Sequence, residues 1–192
     1  MRSAECGIQN EKQRSASAGA FFAAVLCALL VGGCESGLPK DVAKLAYVNR
    51  AEHFAMDVPQ GWTVRESSGA AVVLVTAPAG ESEVRPNLTV IVRMSGAASL
   101  HLGQEVAAAE ESLKRLPGFR LIAEGPTTIA DGRAAWTVTF VQEATGQPLQ
   151  EKQLYVMGGQ RTYIVTATAS PETFIADEPN FDVCFRSFRV AW

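Results

Sequence analysis

The sequence predicts an α+β domain in which an antiparallel β-sheet is flanked by helices. Segments with alternating apolar and polar residues follow one another with short turns between them, which is typical of antiparallel strands. One segment in the middle of the chain and one at its end instead have the periodicity of amphipathic helices. The chain has 192 residues, of which 47% are hydrophobic, and this suits one such domain plus a processed N-terminal segment.

The N-terminal segment has the pattern of a lipoprotein signal peptide. Phe21–Val31 is an apolar run of eleven residues that follows Arg14. This length fits the roughly 7–15 residues of a signal-peptide core and falls short of the roughly 20 that span a membrane. The next residues, Val31-Gly32-Gly33-Cys34, closely resemble the lipobox of bacterial lipoproteins. We therefore expect cleavage of residues 1–33 and lipidation of Cys34, with an ordinary signal peptide or an uncleaved anchor as the alternatives.

A lipidated Cys34 implies a place on a bacterial membrane, because two or three acyl chains give stable anchoring. Enteric lipoproteins that stay in the inner membrane carry Asp directly after this cysteine, whereas this chain has Glu35. The resemblance therefore favours the outer membrane. Residues 34–45 hold the lipidated cysteine and a predicted tether. The ten residues Glu35–Lys44, fully extended, reach about 35 Å. The domain, residues 46–192, is expected close to the membrane, facing the periplasm or the exterior.

The first half of the domain is predicted to be rich in strands. Phe54, Met56 and Val58 alternate onto one face, and the turn Pro59-Gln60-Gly61 leads to a strand that Trp62 opens. Two further strands, with the sequences AAVVLVTAP and NLTVIVRM, are separated by a polar loop.

The middle of the domain predicts one helix and then a run of strands. The apolar stripe of this helix consists of Leu102, Val106, Ala109, Leu113 and Leu116. Pro117-Gly118 ends the helix. The four strand candidates that follow have the sequences FRLIAEGPTTI, RAAWTVTFVQEA, LQEKQLYVMGG and RTYIVTATAS. Asp131-Gly132 and Gly158-Gly159 are hairpin signals between them.

The C-terminal segment is predicted to be helical. Ser170 is the expected N-cap, with Pro171 at the first helical position. Pro179 is expected to interrupt this helix, so that Asn180 caps a last helix that runs through Phe188.

Several of these residues resemble PsbP-like and DcrB-like domains. The resemblance spans roughly residues 46–190, and it rests on Phe54-Ala-Met56-Asp-Val58-Pro59-Gln-Gly61-Trp62, Pro86-Asn87-Leu88, Leu116, Gly132-Arg-Ala134, Tyr163-Ile-Val165-Thr166, Phe174, Phe181 and Ser187-Phe188. It implies a PsbP-like α/β/α sandwich and a class of small, mostly non-enzymatic proteins. Some of these are envelope lipoproteins, with DcrB-like members linked to phage entry. Others dock on larger assemblies, such as photosystem II or a nuclear-transport GTPase.

The charge balance and the cysteines exclude some kinds of chemistry. Loss of residues 1–33 removes three basic and two acidic residues, which changes the formal charge from −3 to about −4. This charge gives no indication of a basic face for nucleic acid.

The mature chain then keeps two cysteines, Cys34 and Cys184. With Cys34 lipidated, no intramolecular disulfide is available. Cys184 shares a helical spacing with Phe181, Phe185, Phe188 and Trp192, which favours a buried thiol over a reactive one.

Catalytic and metal-binding patterns are absent from the sequence. His53 and His101 have no metal-ligand spacing, and we expect surface or half-buried side chains. Glu81 and Glu83 flank a loop serine, which favours a solvated loop over a calcium site. No nucleophile elbow or phosphate loop occurs, so no catalytic, metal-binding or cofactor-binding residue is predicted.

The predicted function is therefore that of a membrane-anchored, non-enzymatic protein-binding or scaffold domain. Its partners would be the membrane, through Cys34, and an envelope protein. A small-molecule carrier is the alternative, and it requires an apolar pocket between the sheet and a helix. A hydrolase that uses Cys184 or His53 is a third hypothesis, and it requires a nucleophile and a base that converge in space.

Overall fold

The computed structural model describes residues 42, 45–67, 69–94 and 101–190. The predicted signal peptide, Cys34, most of the tether and Trp192 lie outside the described residues. Within these ranges the chain forms ten strands and two helices, in the order β1 (Tyr47–Asn49), β2 (Phe54–Met56), β3 (Thr63–Glu66), β4 (Ala71–Thr76), β5 (Asn87–Met94), α1 (Leu102–Leu113), β6 (Arg120–Thr128), β7 (Ala134–Ala144), β8 (Gln147–Gly158), β9 (Arg161–Ala169), α2 (Phe174–Ser187) and β10 (Arg189–Val190).

The main sheet has the strand order β3-β4-β5-β9-β8-β7-β6, with every neighbouring pair antiparallel. The predicted helix α1 and the run of four strands after it are confirmed. Thr145 and Gly146, with φ of 53° and 82°, make a tight turn between β7 and β8 that the sequence analysis did not single out. Two successive residues with positive φ match the twist of a two-residue hairpin loop, so β7 and β8 pair without a break from Ala144 and Gln147 to Ala135 and Val156.

A small sheet covers part of the main sheet and joins the two ends of the domain. Its central strand β2 pairs with β1 on one side and with β10 on the other. Phe54 of β2 is fully buried and stacks on Phe188, with 5.4 Å between the ring centroids. The backbone N–H of Asp57 donates a hydrogen bond of 2.7 Å to the Oγ of Ser187 at the end of α2. Burial of the aromatic pair therefore fixes the C-terminal helix to the start of the domain.

The two faces of the main sheet bury different residues. One face packs against α2 and the small sheet through the larger core cluster, which includes Phe54, Leu154, Val165, Phe174 and Phe181. The other face packs against α1 through a smaller cluster made by Val106, Leu113, Val138, Phe140, Tyr155 and Ile164. Successive residues of a strand point to opposite faces, so the alternation along β8 and β9 builds both clusters. The result is an α/β/α sandwich, as the sequence predicts.

The structure corrects the predicted break at Pro179. Helix α2 is continuous, and Pro179 lies inside it. Proline has no N–H, so the carbonyl of Ile175 loses its helical hydrogen bond. Both residues are exposed, and water can solvate that carbonyl. The burial of Phe174 before the proline and Phe181 after it stabilises the helix on both sides.

Two other local predictions also change. The N-cap of α2 is Thr173 and not Ser170, although the Ser170 carbonyl accepts the N–H groups of Thr173 and Phe174. The alternation that starts at Phe54 also predicts His53 on the same strand, pointing outward. His53 instead sits in the turn before β2 with a φ of 57°, a left-handed conformation that costs a non-glycine residue about 1 kcal/mol.

Gly158 provides a test of how tightly β10 packs on the main sheet. A Cβ atom at this position would lie 2.3 Å from Cγ1 of Val190 and 3.1 Å from Cε2 of Tyr163. We expect Gly158→Ala to lower the free energy of unfolding by about 1–3 kcal/mol, because the added methyl overpacks the contact. Urea denaturation measures this change.

Gly125→Ala is the matched control. Gly125 also lies in a strand, β6, but a Cβ there has no atom within 4 Å. We expect this variant to stay within about 0.5 kcal/mol of the wild type. Equal stability of the two variants would contradict the close packing at Gly158.

Candidate functional site

The outward face of α2 is the most apolar exposed part of a helix in the described structure. Ile175 and Val183 are 77% and 40% exposed, and the exposed Pro179 lies between them at a spacing of four residues. Residues spaced by four lie one above the other on a helix. These three side chains, here called the α2 stripe, therefore form a continuous apolar strip that the protein's own core does not use.

A groove of about 710 Å³ runs along the α2 stripe. Leu45, Asp57 and Ala130 contribute to its lining from outside the helix. Leu45 is the last residue of the predicted tether, so the groove lies at the tether end of the domain. The lining is mixed: Ile175, Pro179 and Val183 form its apolar part, and charged side chains that include Glu178 and Arg186 line the rest. A concave site that combines apolar walls with a few polar groups can accept an apolar side chain or segment.

Ion pairs hold α2 in place below the groove. The Nζ atom of Lys152 on β8 lies 2.9 Å from Oε1 of Glu178 and 3.4 Å from Oδ1 of Asp182. The Lys152 ammonium also lies 5.6 Å from the ring centroid of Phe185, within cation–π range. Asp182 additionally accepts a hydrogen bond of 2.7 Å from Arg186. These contacts pair the Glu178 and Asp182 carboxylates with basic side chains, so paired charges lie beside the α2 stripe.

A different concave site lies between α1 and the sheet. This cavity of about 260 Å³ is lined by Ala108, Ala109 and Ser112 of the helix and by Tyr155 and Ile164 of the sheet, among others. The small helix residues leave space that larger side chains would fill. The pocket that the carrier hypothesis requires is therefore present, although its lining is partly polar.

A chain of hydrogen-bonded polar side chains extends from this cavity across the sheet. Tyr155 donates its hydroxyl hydrogen to Oε1 of Gln153. Gln153 donates to Glu151 over 3.3 Å, and Gln142 donates to the same carboxylate over 2.5 Å. Glu151 is only 9% exposed, and burial raises its pKa above the usual range. Burial also raises the pKa of Tyr155 to about 12, so its hydroxyl stays protonated near neutral pH.

The candidate residues from the sequence do not converge. Cys184 is buried against the core, where burial raises the pKa of its thiol to about 12. His53 lies in the turn before β2, and His101 is the exposed N-cap of α1. Glu83 accepts a hydrogen bond from Gln147, and Glu81 is exposed in the same loop. Among the residues that the structure describes, no three or more His, Cys, Asp or Glu side chains form a group able to hold a metal ion.

Sequence reasoning missed both concave sites, although signals for them exist. The α2 stripe is visible as Ile175, Pro179 and Val183 at intervals of four, but the proline suggested a break in the helix. In the polar chain, Glu151, Gln153 and Tyr155 alternate along β8, which places them on one face. Polar residues at alternate positions of a strand usually indicate a solvent-facing side, so their burial was not predicted.

Comparison with known proteins supports the fold. No protein-family model and no curated protein sequence matches the chain. Among solved structures, the chain is similar to LpqN, a protein involved in cell envelope biogenesis of Mycobacterium tuberculosis, with 18% identity and a TM-score of 0.58 over 72% of this chain and 83% of that one. It is also similar to the cyanobacterial PsbP of Synechocystis, with 14% identity and a TM-score of 0.54 over 75% of this chain and 90% of that one.

A third similar structure is a Pseudomonas aeruginosa protein of unknown function, with 20% identity and a TM-score of 0.52 over 71% of this chain and 89% of that one. At these identities the likeness is one of fold, and the PsbP-like sandwich is confirmed. The DcrB-like resemblance stays a prediction. No helix in the described ranges has the length and apolar character to cross a membrane.

The burial of Cys184 leads to a prediction about its reactivity. We expect a thiol reagent to leave Cys184 unmodified in the native protein and to modify it fully in guanidinium chloride, because the thiol is buried and protonated. Peptide mass spectrometry locates the label and separates Cys184 from the other cysteines. Rapid labelling of Cys184 in the native protein would contradict this assignment and revive the thiol-hydrolase hypothesis.

The raised pKa of Glu151 leads to a prediction about stability and pH. Because its pKa is raised, the folded protein holds the carboxyl proton of Glu151 more tightly than the unfolded chain does. The contribution of Glu151 to stability therefore falls as the pH rises above 4.5, the ordinary pKa of a glutamate. Glutamine does not titrate, so we expect Glu151→Gln to gain stability relative to the wild type as the pH rises above 4.5. The free energy of unfolding of the variant minus that of the wild type should therefore increase with pH. Urea denaturation at several pH values measures the difference.

Glu172→Gln, at an exposed position, controls for the loss of one carboxylate. A difference between Glu151→Gln and the wild type that is flat or falls with pH would show that burial does not disfavour the Glu151 carboxylate.

Proposed function

We propose that this chain is a bacterial envelope lipoprotein, anchored by acyl chains on Cys34, whose folded domain is a non-enzymatic protein-binding module. The lipobox-like Val31-Gly32-Gly33-Cys34 supports the anchor. Likeness in fold to LpqN, a protein involved in cell envelope biogenesis, is consistent with a place in the envelope. The outer membrane is the proposed location, because Glu35 replaces the aspartate of the inner-membrane signal.

The observation that carries the binding function is the α2 stripe with its groove. Large apolar side chains exposed on a helix cost free energy in water, at roughly 25 cal/mol per Å² of apolar surface. An exposed apolar strip beside a concave surface is typical of an interaction site. We propose that an apolar segment of an envelope protein binds there, with the side chain of Ile175 as its central contact.

The position of the groove fits a partner at the membrane surface. Leu45 lines the groove and is the eleventh residue after Cys34. Eleven extended residues span at most about 40 Å, so the groove is held within that distance of the lipid anchor. Tethering then raises the effective concentration of the domain for a membrane-bound partner.

The test is cross-linking in intact cells followed by purification of the lipoprotein. We expect one envelope protein to be captured by the wild type and to be reduced at least about tenfold with Ile175→Glu, because a charge would be buried in the apolar contact. Cys34→Ala is expected to reduce the capture as well, through loss of the anchor.

Ile122→Glu is the matched control, since Ile122 is an exposed isoleucine, 45% accessible, on the edge strand β6. It should leave the capture unchanged. Equal capture by the wild type and Ile175→Glu would exclude the α2 groove as the interface.

The cavity under α1 favours a second candidate function, that of a small-molecule carrier. It has apolar walls from Ile91 and Ile164, and Tyr155 and Gln153 provide hydrogen-bonding groups. Its 260 Å³ limits the ligand to a compact molecule. Native mass spectrometry of protein purified from cells tests this function. A bound mass that Ala109→Leu removes would support it, whereas the same spectrum for both proteins would exclude this cavity.

A further inference from the structure

A cleft of about 620 Å³ lies where β8 turns into β9, apart from the α2 groove and the α1 cavity. Its lining includes Arg133, Arg161, Tyr163, Gly158 and His53. The lining contains these two guanidinium groups and no carboxylate. The cleft therefore presents basic groups in a chain whose predicted mature charge is negative.

Contacts behind the cleft orient both arginine side chains. The Nη1 of Arg133 donates to the carbonyl of Met157 over 3.2 Å, and its Nε lies 3.5 Å from Asp131. The Nε of Arg161 lies 3.9 Å from a carboxylate oxygen of Glu52, near the outer limit of an ion pair. Each guanidinium has five N–H donors, and these contacts use only some of them. Both side chains remain partly exposed.

Close packing fixes the backbone around the cleft. A Cβ atom on Gly158 would lie 2.3 Å from Cγ1 of Val190, and it would also come within 3.1 Å of the ring of Tyr163 and 3.3 Å of Nη1 of Arg133. The Tyr163 hydroxyl donates a hydrogen bond of 2.8 Å to the carbonyl of Glu52, which fixes the turn that carries His53. The left-handed backbone of His53 is therefore held in place at the edge of the cleft. Such backbone strain is often found at binding sites.

We propose that this cleft binds a phosphate group through Arg133 and Arg161. Guanidinium groups present paired N–H donors whose geometry matches phosphate oxygens, and these charge-assisted hydrogen bonds are among the stronger ones in proteins. The phosphate belongs either to a soluble phosphate compound or to the headgroup of an anionic lipid, since both present the same oxygens.

The experiment titrates the full chain in uncharged maltoside micelles. One arm adds inorganic phosphate, and the other adds phosphatidylglycerol to the micelles, with phosphatidylcholine as the zwitterionic comparison. Calorimetry and the shift in melting temperature are the readouts. We expect binding to weaken as salt is added. We also expect Arg161→Gln to weaken binding at least about tenfold, because a charge-assisted contact is lost.

Three further variants keep the result interpretable. Arg133→Gln should weaken binding as much as Arg161→Gln does. Arg161→Lys keeps the positive charge but loses the paired N–H donors of the guanidinium, so it should bind with intermediate strength. Arg120→Gln removes an exposed arginine from β6 and should bind within about twofold of the wild type. Melting curves without ligand confirm that each variant folds.

The outcomes are distinct. Binding of inorganic phosphate that depends on both arginines supports the site with a soluble ligand. Binding of phosphatidylglycerol micelles that both Arg133→Gln and Arg161→Gln weaken, without binding of inorganic phosphate, supports the site with a lipid headgroup. Failure of every probe to bind, or binding that Arg133→Gln and Arg161→Gln leave unchanged, would overturn the proposal.

Discussion

The burial of both faces of β8 and β9 is the constraint on which the rest of the domain depends. Leu154 and Val165 point into the core beneath α2, whereas their neighbours Tyr155 and Ile164 point into the core beneath α1. A sheet whose central strands are apolar on both faces must be covered on both. Helix α1 covers one face, and α2 with the small sheet covers the other.

One side of helix α2 covers the sheet, and the opposite, exposed side is unusually apolar. The burial of Phe174 and Phe181 stabilises the helix across Pro179, so the exposed backbone near Ile175 can be satisfied by water. The outward side then has no folding role, yet it carries Ile175, Pro179 and Val183. Residues that remain apolar without contributing to the core favour a binding role, and this is the physical basis of the proposed interface.

Helix α1 covers its face of the sheet less completely. It is twelve residues long and has alanines and a serine where it faces Tyr155 and Ile164. The cavity and the polar chain that ends at Glu151 occupy this side of the sheet. Because each polar group in that chain has a hydrogen-bond partner, the buried carboxylate is tolerated, although burial still raises its pKa.

The sequence by itself determined the α+β class, the run of four strands after α1 and the apolar stripe of α1, because these depend on local periodicity and turn residues. It also determined the burial of Cys184, through its spacing with Phe181 and Phe185. Only the tertiary structure decided the continuity of α2 through Pro179, since packing of residues on both sides outweighs the lost hydrogen bond. The small sheet, the groove beside Leu45 and the cleft lined by both Arg133 and Arg161 likewise join segments far apart in the chain, where no local pattern records the contact.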